Sequence, residues 1–218
     1  MHRAEEDYLK LIYELQVESG KQLIKNNEIK DAFGFTDQSV NDMIKRLHEQ
    51  KLVNFKPYKG VSLTKKGISV AYKLVRAHRI WEVFLTKKLN YPWHKVHEEA
   101  ENLEHASSEA MVEAMYQYLG QPERCSHGNP IPNIDGVVRP INDEAMTHFK
   151  VGQIFLVERA SDDPKLLELL NKYQINLGSK LKIIEKDNHN EFIKVNVLDK
   201  DLLLTFSSAK KIFGRSIK

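Results

Sequence analysis

The stretch TDQSVNDMIKRLHEQKLVNFKPYKGVSL, residues 36–63, changes its period partway along. Thr36 is a good helix N-cap, and Val40, Met43, Ile44 and Leu47 recur at helical spacing behind it. Then Leu52-Val53-Asn54-Phe55, a turn at Pro57-Tyr58-Lys59-Gly60 and Val61-Ser62-Leu63 read as a two-stranded hairpin. Upstream, a short helix over about Lys25 to Phe33 is closed by Gly34. Two short helices across a tight Gly-containing turn make a helix-turn-helix, and the hairpin after them makes it winged. Residues 5–18 add an amphipathic helix, with Tyr8, Leu11, Ile12 and Leu15 on its apolar stripe before Ser19-Gly20 ends it.

In such an arrangement the outward face of the helix after Thr36 enters a major groove. It offers Asp37, Gln38, Ser39, Asn41, Asp42 and Lys45 beside the cap Thr36. Gln and Asn can read adenine edges bidentately, and Ser can meet bases or phosphate. Lys56, Lys59, Lys65 and Lys66 are placed to contact phosphates. Net charge is only +3, but residues 41–73 carry eight Lys or Arg against Asp42 and Glu49, which suits an anionic polymer. The competing reading is a small helical domain whose basic surface binds protein or nothing.

A second concentration of chemistry follows. His78, His94, His97 and His105 fall within 28 residues, interleaved with Glu82, Glu98, Glu99, Glu101 and Glu104 in helical sequence. Glu101, Glu104 and His105 stand at i, i+3 and i+4, with His97 one turn earlier, so all four share one side of a helix. His78 and Glu82 repeat the i, i+4 pairing on an earlier helix. One helix cannot close a coordination sphere, so a second element has to face it. A solvated acidic helix is the plainer alternative. Against it, residues 96–115 hold six Glu and no Lys or Arg, an uncompensated anionic face that a divalent cation neutralises.

At 218 residues, 41% hydrophobic and 29% charged, the chain has room for one large domain or two to three small ones. No apolar run approaches the roughly 18 residues of a membrane span, and Glu5, Glu6 and Asp7 directly after Met1, His2 and Arg3 do not suit a signal peptide. A cytoplasmic protein without membrane partners is expected. The single Cys125 excludes an intrachain disulfide framework and agrees with a reducing compartment.

Ala71 to Leu85 and Val96 to Leu119 read as further helices, with Leu74, Ile80, Trp81, Phe84, Leu103, Ala106, Met111, Met115 and Tyr116 as core stripes. Gln121 to Pro140, with Pro122, Pro130 and Pro132, reads as a connection. Cys125 and His127 lie in it without a second Cys-containing pair at ligand spacing, so the segment is assigned a structural, not a zinc-binding, role. From Gly152 the pattern turns to short strands: Ile154 to Val157, Lys180 to Glu185, Phe192 to Val197 and Leu202 to Thr205, with a helix from about Pro164 to Tyr173. Several short strands in about 70 residues make a small barrel.

Taken together, Glu6-Asp7-Tyr8-Leu9, Ile12-Tyr13, Tyr58 to Gly67, Ala77-His78-Arg79, His97-Glu98-Glu99-Ala100-Glu101, Glu104-His105 and His127 to Pro132 resemble the diphtheria toxin repressor family of metal-dependent regulators, particularly its manganese-responsive three-domain members. The resemblance covers nearly the whole chain. It implies a mainly α fold with a small C-terminal β domain: a winged helix-turn-helix over 1–72, a helical dimerisation and metal-binding domain with its Pro-rich linker over 73–140, and an SH3-like domain over 141–218. It implies a primary metal site from Asp7, Glu101, Glu104 and His105, and an ancillary site from His78, Glu82 and His97. A C-terminal-domain side chain would complete the latter; of Glu158, Asp162 and Asp163, Asp162 is chosen.

Iron-responsive relatives carry Met and Cys where Asp7 and Glu101 stand here. Carboxylate in place of sulfur hardens the site toward Mn(II), with Fe(II) as the other physiological ion and Zn(II) or Cd(II) as substitutes in vitro. Lys10 stands where the short manganese repressors without a third domain have a glutamate ligand, so the resemblance implies separated sites and not a close two-metal cluster. The expected protein is a manganese-dependent, homodimeric repressor of metal-uptake genes, acting on a pseudo-palindromic double-stranded operator, with no small organic substrate. One rival is a metallohydrolase, since clustered Glu and His can activate water; no oxyanion donor, nucleophile elbow or phosphate loop accompanies them. The other is a winged-helix regulator sensing an organic ligand.

Overall fold

The computed structural model describes residues 1–139 and 144–217, side chains of residues 17–19 excepted. The expected boundary at 140/141 and the Pro140 end of the linker lie outside the described residues. Two compact units are present: residues 1–77 with 132–137, and residues 78–131 with 138–218.

In the first unit, α1 (Arg3–Ser19), α2 (Asn26–Phe33) and α3 (Asp37–Glu49) precede the hairpin β1 (Val53–Lys56) and β2 (Gly60–Leu63). Gly34 ends α2 in the left-handed conformation, and the Thr36 side chain accepts from Ser39 N to start α3. Leu9, Ile12, Ile29, Val40, Ile44, Leu47 and Val61 are buried together as the core. The hairpin pairs Val53 with Leu63 through Lys56 with Gly60, and Ile24 bridges Val61 on its other edge. Gly60 is required there: at φ 129° a Cβ would lie 2.4 Å from the Ile24 carbonyl oxygen. Asp37, Gln38, Ser39, Asp42 and Lys45 are exposed on α3, as is Lys56 on β1 and Lys59 in the turn.

Helix α4 (Lys65–Leu89) is longer at both ends than its apolar stripe predicts, and from His78 onward it belongs to the second unit. The expected helical run from Val96 to Leu119 is two helices, α5 (Val96–Ala106) and α6 (Glu109–Tyr118). Ser107 hydroxyl donates to Leu103 O at 2.6 Å and accepts from Trp81 Nε1 at 2.7 Å, and Ser108 caps α6 by accepting from Met111 N. These local bonds compete with helix continuation. Ala106 and Met111, expected in the core, are exposed.

The C-terminal part is a six-stranded antiparallel sheet ordered β3-β8-β4-β5-β6-β7. Its strands are β3 (Glu144–Ala145), β4 (Ile154–Ala160), β5 (Lys180–Asp187), β6 (Phe192–Val197), β7 (Lys200–Thr205) and β8 (Ile212–Ile217). Helix α7 (Pro164–Lys172), capped by Asp163, packs Leu166, Leu167 and Leu170 into the core with Phe155, Ile183, Val195 and Leu204, and a short α8 (Phe206–Ala209) precedes β8. The fold is thus mainly helical with a C-terminal β domain, as expected. Among the described residues no helix is long and apolar enough to cross a membrane.

Candidate metal centre

Helix α4 places His78 and Glu82 one turn apart on its buried face, 1% and 0% exposed. Buried charge is costly unless it is paired, so their partners matter. His78 Nδ1 lies 2.5 Å from Glu104 Oε2 on α5, while its Nε2 meets Glu82 Oε1 at 3.2 Å and His97 Nδ1 at 3.1 Å. His127, fully buried on the Pro-rich connection, brings Nδ1 to 2.9 Å from Glu82 Oε1 and 2.7 Å from Asp162 Oδ1. Its other nitrogen, Nε2, lies 2.7 Å from the Trp93 carbonyl oxygen and donates to it.

Ligand atoms of two overlapping quartets therefore converge. His78, Glu82, His97 and Asp162 form one, and Glu82, Cys125, His127 and Asp162 the other; within each, one donor atom per residue lies within 4.8 Å of the rest. Glu82 Oε2 is buried without a hydrogen-bond partner, while Glu82 Oε1 meets both His78 and His127. Glu82 Oε2 is thus left as an unused buried acceptor, and the Asp, Glu, His and Cys donor set fits a divalent transition metal.

The electrostatics agree. Burial pushes Glu82 up, but the His127 and His78 imidazoles outweigh it and hold its carboxyl well below the usual range. Burial lowers His127, and Glu82 and Asp162 reverse this to raise it well above an ordinary histidine. Burial and Glu82 raise Asp162, yet His127 and His97 leave it lowered. Burial, with Glu82 and Asp162 beside it, pushes the Cys125 thiol well up.

The expected ancillary residues His78, Glu82, His97 and Asp162 are brought together. Cys125 and His127, assigned a structural role from sequence, join the same cluster. The signal that could have found them was the pair itself, Cys125 and His127, two metal-ligating residue types two positions apart. Of the expected primary set, Glu101, Glu104 and His105 lie on α5 in the second unit, and Asp7 lies on α1 in the first. Glu104 is buried and its Oε1 is 3.5 Å from His105 Nε2; Glu101 Oε1 is 3.6 Å from His97 Nε2.

In the first unit, Gln38 Nε2 donates to both carboxylate oxygens of Asp42 at 2.9 and 2.8 Å, Lys30 pairs with Asp37, and Asn26 Nδ2 donates to Asn41 Oδ1 at 2.6 Å. A cleft between α3 and the hairpin is lined by Gln38, Asn41, Lys45 and Lys59, together with Lys25, Asn26 and Tyr58, which were not among the expected DNA contacts. Tyr58 is fully exposed at the hairpin tip.

Residues 1–61 match the family described as iron dependent repressor, N-terminal DNA binding domain, and residues 64–133 match its metal binding and dimerisation domain. An uncharacterized HTH-type transcriptional regulator of Methanocaldococcus jannaschii is 36% identical over 119 residues, 55% of this chain and 94% of that protein. The diphtheria toxin repressor of Corynebacterium glutamicum is 28% identical over 192 residues, 83% of each chain. Among solved structures, the manganese regulator SloR is similar with a TM-score of 0.84 at 32% identity, covering 98% of both chains.

Proposed function

The chain belongs to the iron-dependent, or diphtheria toxin, repressor family, and on that premise we propose that it is a manganese-responsive repressor, cytoplasmic and homodimeric, that binds pseudo-palindromic operators when metal-loaded and controls metal-uptake genes. Its family is one of metal-dependent transcriptional repressors, not of enzymes. The observation that carries the reading is the buried convergence of Glu82, His127 and Asp162, with an unused acceptor at Glu82 Oε2. A hydrolase would instead leave a coordination position open to substrate.

Two cation positions serve this function. The primary one is held by Glu101, Glu104 and His105, with Asp7 supplied by the DNA-binding unit. The ancillary one draws on His78, Glu82, His97 and Asp162, and Cys125 and His127 extend its ligand set. When bound, the metal supplies positive charge that lets these carboxylates lie together. Asp7 then makes the orientation of α1 depend on metal, and metal becomes DNA affinity by population shift. The hard oxygen donors of the primary set suit Mn(II), while the Cys125 sulfur gives Fe(II), Zn(II) and Cd(II) a foothold.

The domain division proposed is 1–72 for DNA binding, 73–140 for dimerisation and metal binding, and 141–218 for the ligand-donating β domain. Helix α3 reads the major groove through Thr36, Asp37, Gln38, Ser39, Asn41, Asp42 and Lys45, and Lys56 and Lys59 meet phosphates. Exposed Met111 and Tyr118 on α6 suit a helical dimer interface, and a two-fold dimer makes half-sites mirror each other. Selection from a random duplex library with Mn(II) and then with chelator tests this. Inverted repeats enriched only with metal are expected; enrichment indifferent to metal would favour the organic-ligand sensor.

A further inference from the structure

Asn129 is 1% exposed, and its side chain and backbone hold opposite halves of the ancillary cluster. Its Nδ2 donates to Asp162 Oδ1 at 3.0 Å, and also to Ala160 O at 3.3 Å. Its backbone oxygen accepts from Cys125 N at 2.8 Å, closing the turn that carries Cys125 and His127. The same turn is docked on β4: Ala160 N donates to the His127 carbonyl at 2.9 Å. Gly128 allows this approach, since at φ 84° a Cβ there would lie 2.2 Å from Glu158 O. The two ligand-bearing segments, the connection and the loop after β4, are therefore joined through one amide.

We propose that Asn129 is the positioning residue of the ancillary cation site, orienting the Asp162 carboxylate toward the Cys125 and His127 donors. The assignment rests on the reading of this cluster as a cation site. A carboxylate with two rotatable torsions points several ways; an amide N–H on Oδ1, the oxygen that also lies 2.7 Å from His127 Nδ1, selects the one that faces the cluster. An outer-shell donor of this kind typically contributes 10- to 100-fold in metal affinity. Asn129 itself touches no cation in this scheme and acts only through Asp162.

Co(II) titration of the full chain tests it, because Cys125 ligation gives a thiolate-to-cobalt absorption band. Asn129→Ala is expected to raise the half-saturating Co(II) concentration about 10- to 100-fold while leaving the band's final intensity unchanged. Asn129→Asp, which sets a carboxylate against Asp162, should raise it at least as far, and Asn129→Ser, which keeps a donor, should fall between. In an Asp162→Asn background, adding Asn129→Ala should change the half-saturation by less than about twofold. The double mutant is compared with the Asp162→Asn single mutant, so the test holds even if the single Asn129 variant folds poorly. Half-saturation unmoved by Asn129→Ala, with only the apo melting temperature lowered, would overturn the assignment in favour of a merely structural role. So would effects of the two substitutions that multiply. A wild-type protein with no thiolate band, or a band that survives Cys125→Ser, removes Cys125 from the ligand set and overturns the assignment as stated, while Co(II) that fails to bind at all overturns the cation reading of this cluster.

Discussion

His78 Nδ1 lies 2.5 Å from Glu104 Oε2, and both groups are buried. The contact makes His78 donate to a carboxylate of α5, which leaves its Nε2 facing Glu82 and His97. A carboxylate behind an imidazole fixes the ring's tautomer and raises its basicity toward a metal. Glu104 belongs to the proposed primary set and His78 to the ancillary one, so the two positions share a wire. Glu104→Gln is expected to weaken Mn(II) at both classes of site, by about 10-fold or more, whereas Asp7→Asn weakens one. Equilibrium dialysis with Mn(II) separates the classes, and an unaffected second class in Glu104→Gln would break the link.

The sulfur at Cys125 makes a prediction about metal preference. Softer ions gain most from a thiolate, so Cys125→Ser should lower Zn(II) or Cd(II) affinity by about 10-fold or more and Mn(II) affinity much less. Competition against a fluorescent chelator reads the ratio. Equal losses for all ions would mean that Cys125 does not ligate.

The helical half of this arrangement was legible in the sequence and the linker half was not. His78 with Glu82, and His97 with Glu101, Glu104 and His105, advertise themselves through i, i+3 and i+4 spacing, because a helix turns sequence distance into a shared face. His127 has no such periodicity: Glu82 and Asp162, its partners, are remote in sequence and meet it only because Gly128 lets the connection lie against β4. Strand β8 was missed for a related reason. Gly214 breaks its pattern, and it is there because a Cβ would lie 1.9 Å from Leu156 O on β4. The Ser107-Ser108 break was visible as residue types, but only the Trp81 indole on Ser107 shows why the helix stops.

Stability of the DNA-binding unit should depend on pH through Glu5. This buried carboxylate accepts from His2 N at 2.9 Å, Gln50 Nε2 at 2.7 Å and Arg46 Nε at 2.7 Å, the last two tying α1 to the end of α3. The His2 N–H, followed by Gln50 and Arg46, outweighs burial and lowers its pKa. A folded pKa below the unfolded one gives stability present above the unfolded value, about 4.3, and lost as pH falls through the folded value. Glu5→Gln should therefore cost about 1–2 kcal/mol near neutral pH, and thermal melts of the two proteins should converge in acid. A difference that persists below about pH 3 would contradict the charge-based account.

Phosphate contacts should appear as salt dependence. With about five phosphates neutralised per subunit, the dimer's log-log slope is roughly −9. Lys56→Ala or Lys59→Ala should each make it shallower by about 2, one contact from each subunit, and weaken all sequences alike. A variant that changed sequence preference without changing the slope would place that lysine on a base instead.

The most direct test of metal-gated DNA binding is fluorescence anisotropy with duplex DNA from upstream of a manganese-transporter gene of the same genome, in chelator and then with Mn(II), Fe(II) or Zn(II). Tight binding is expected only with metal, strongest with Mn(II) at cellular levels, and lost in His105→Ala and Glu104→Ala. Binding that is equally tight in chelator, or unchanged in His105→Ala, would contradict it.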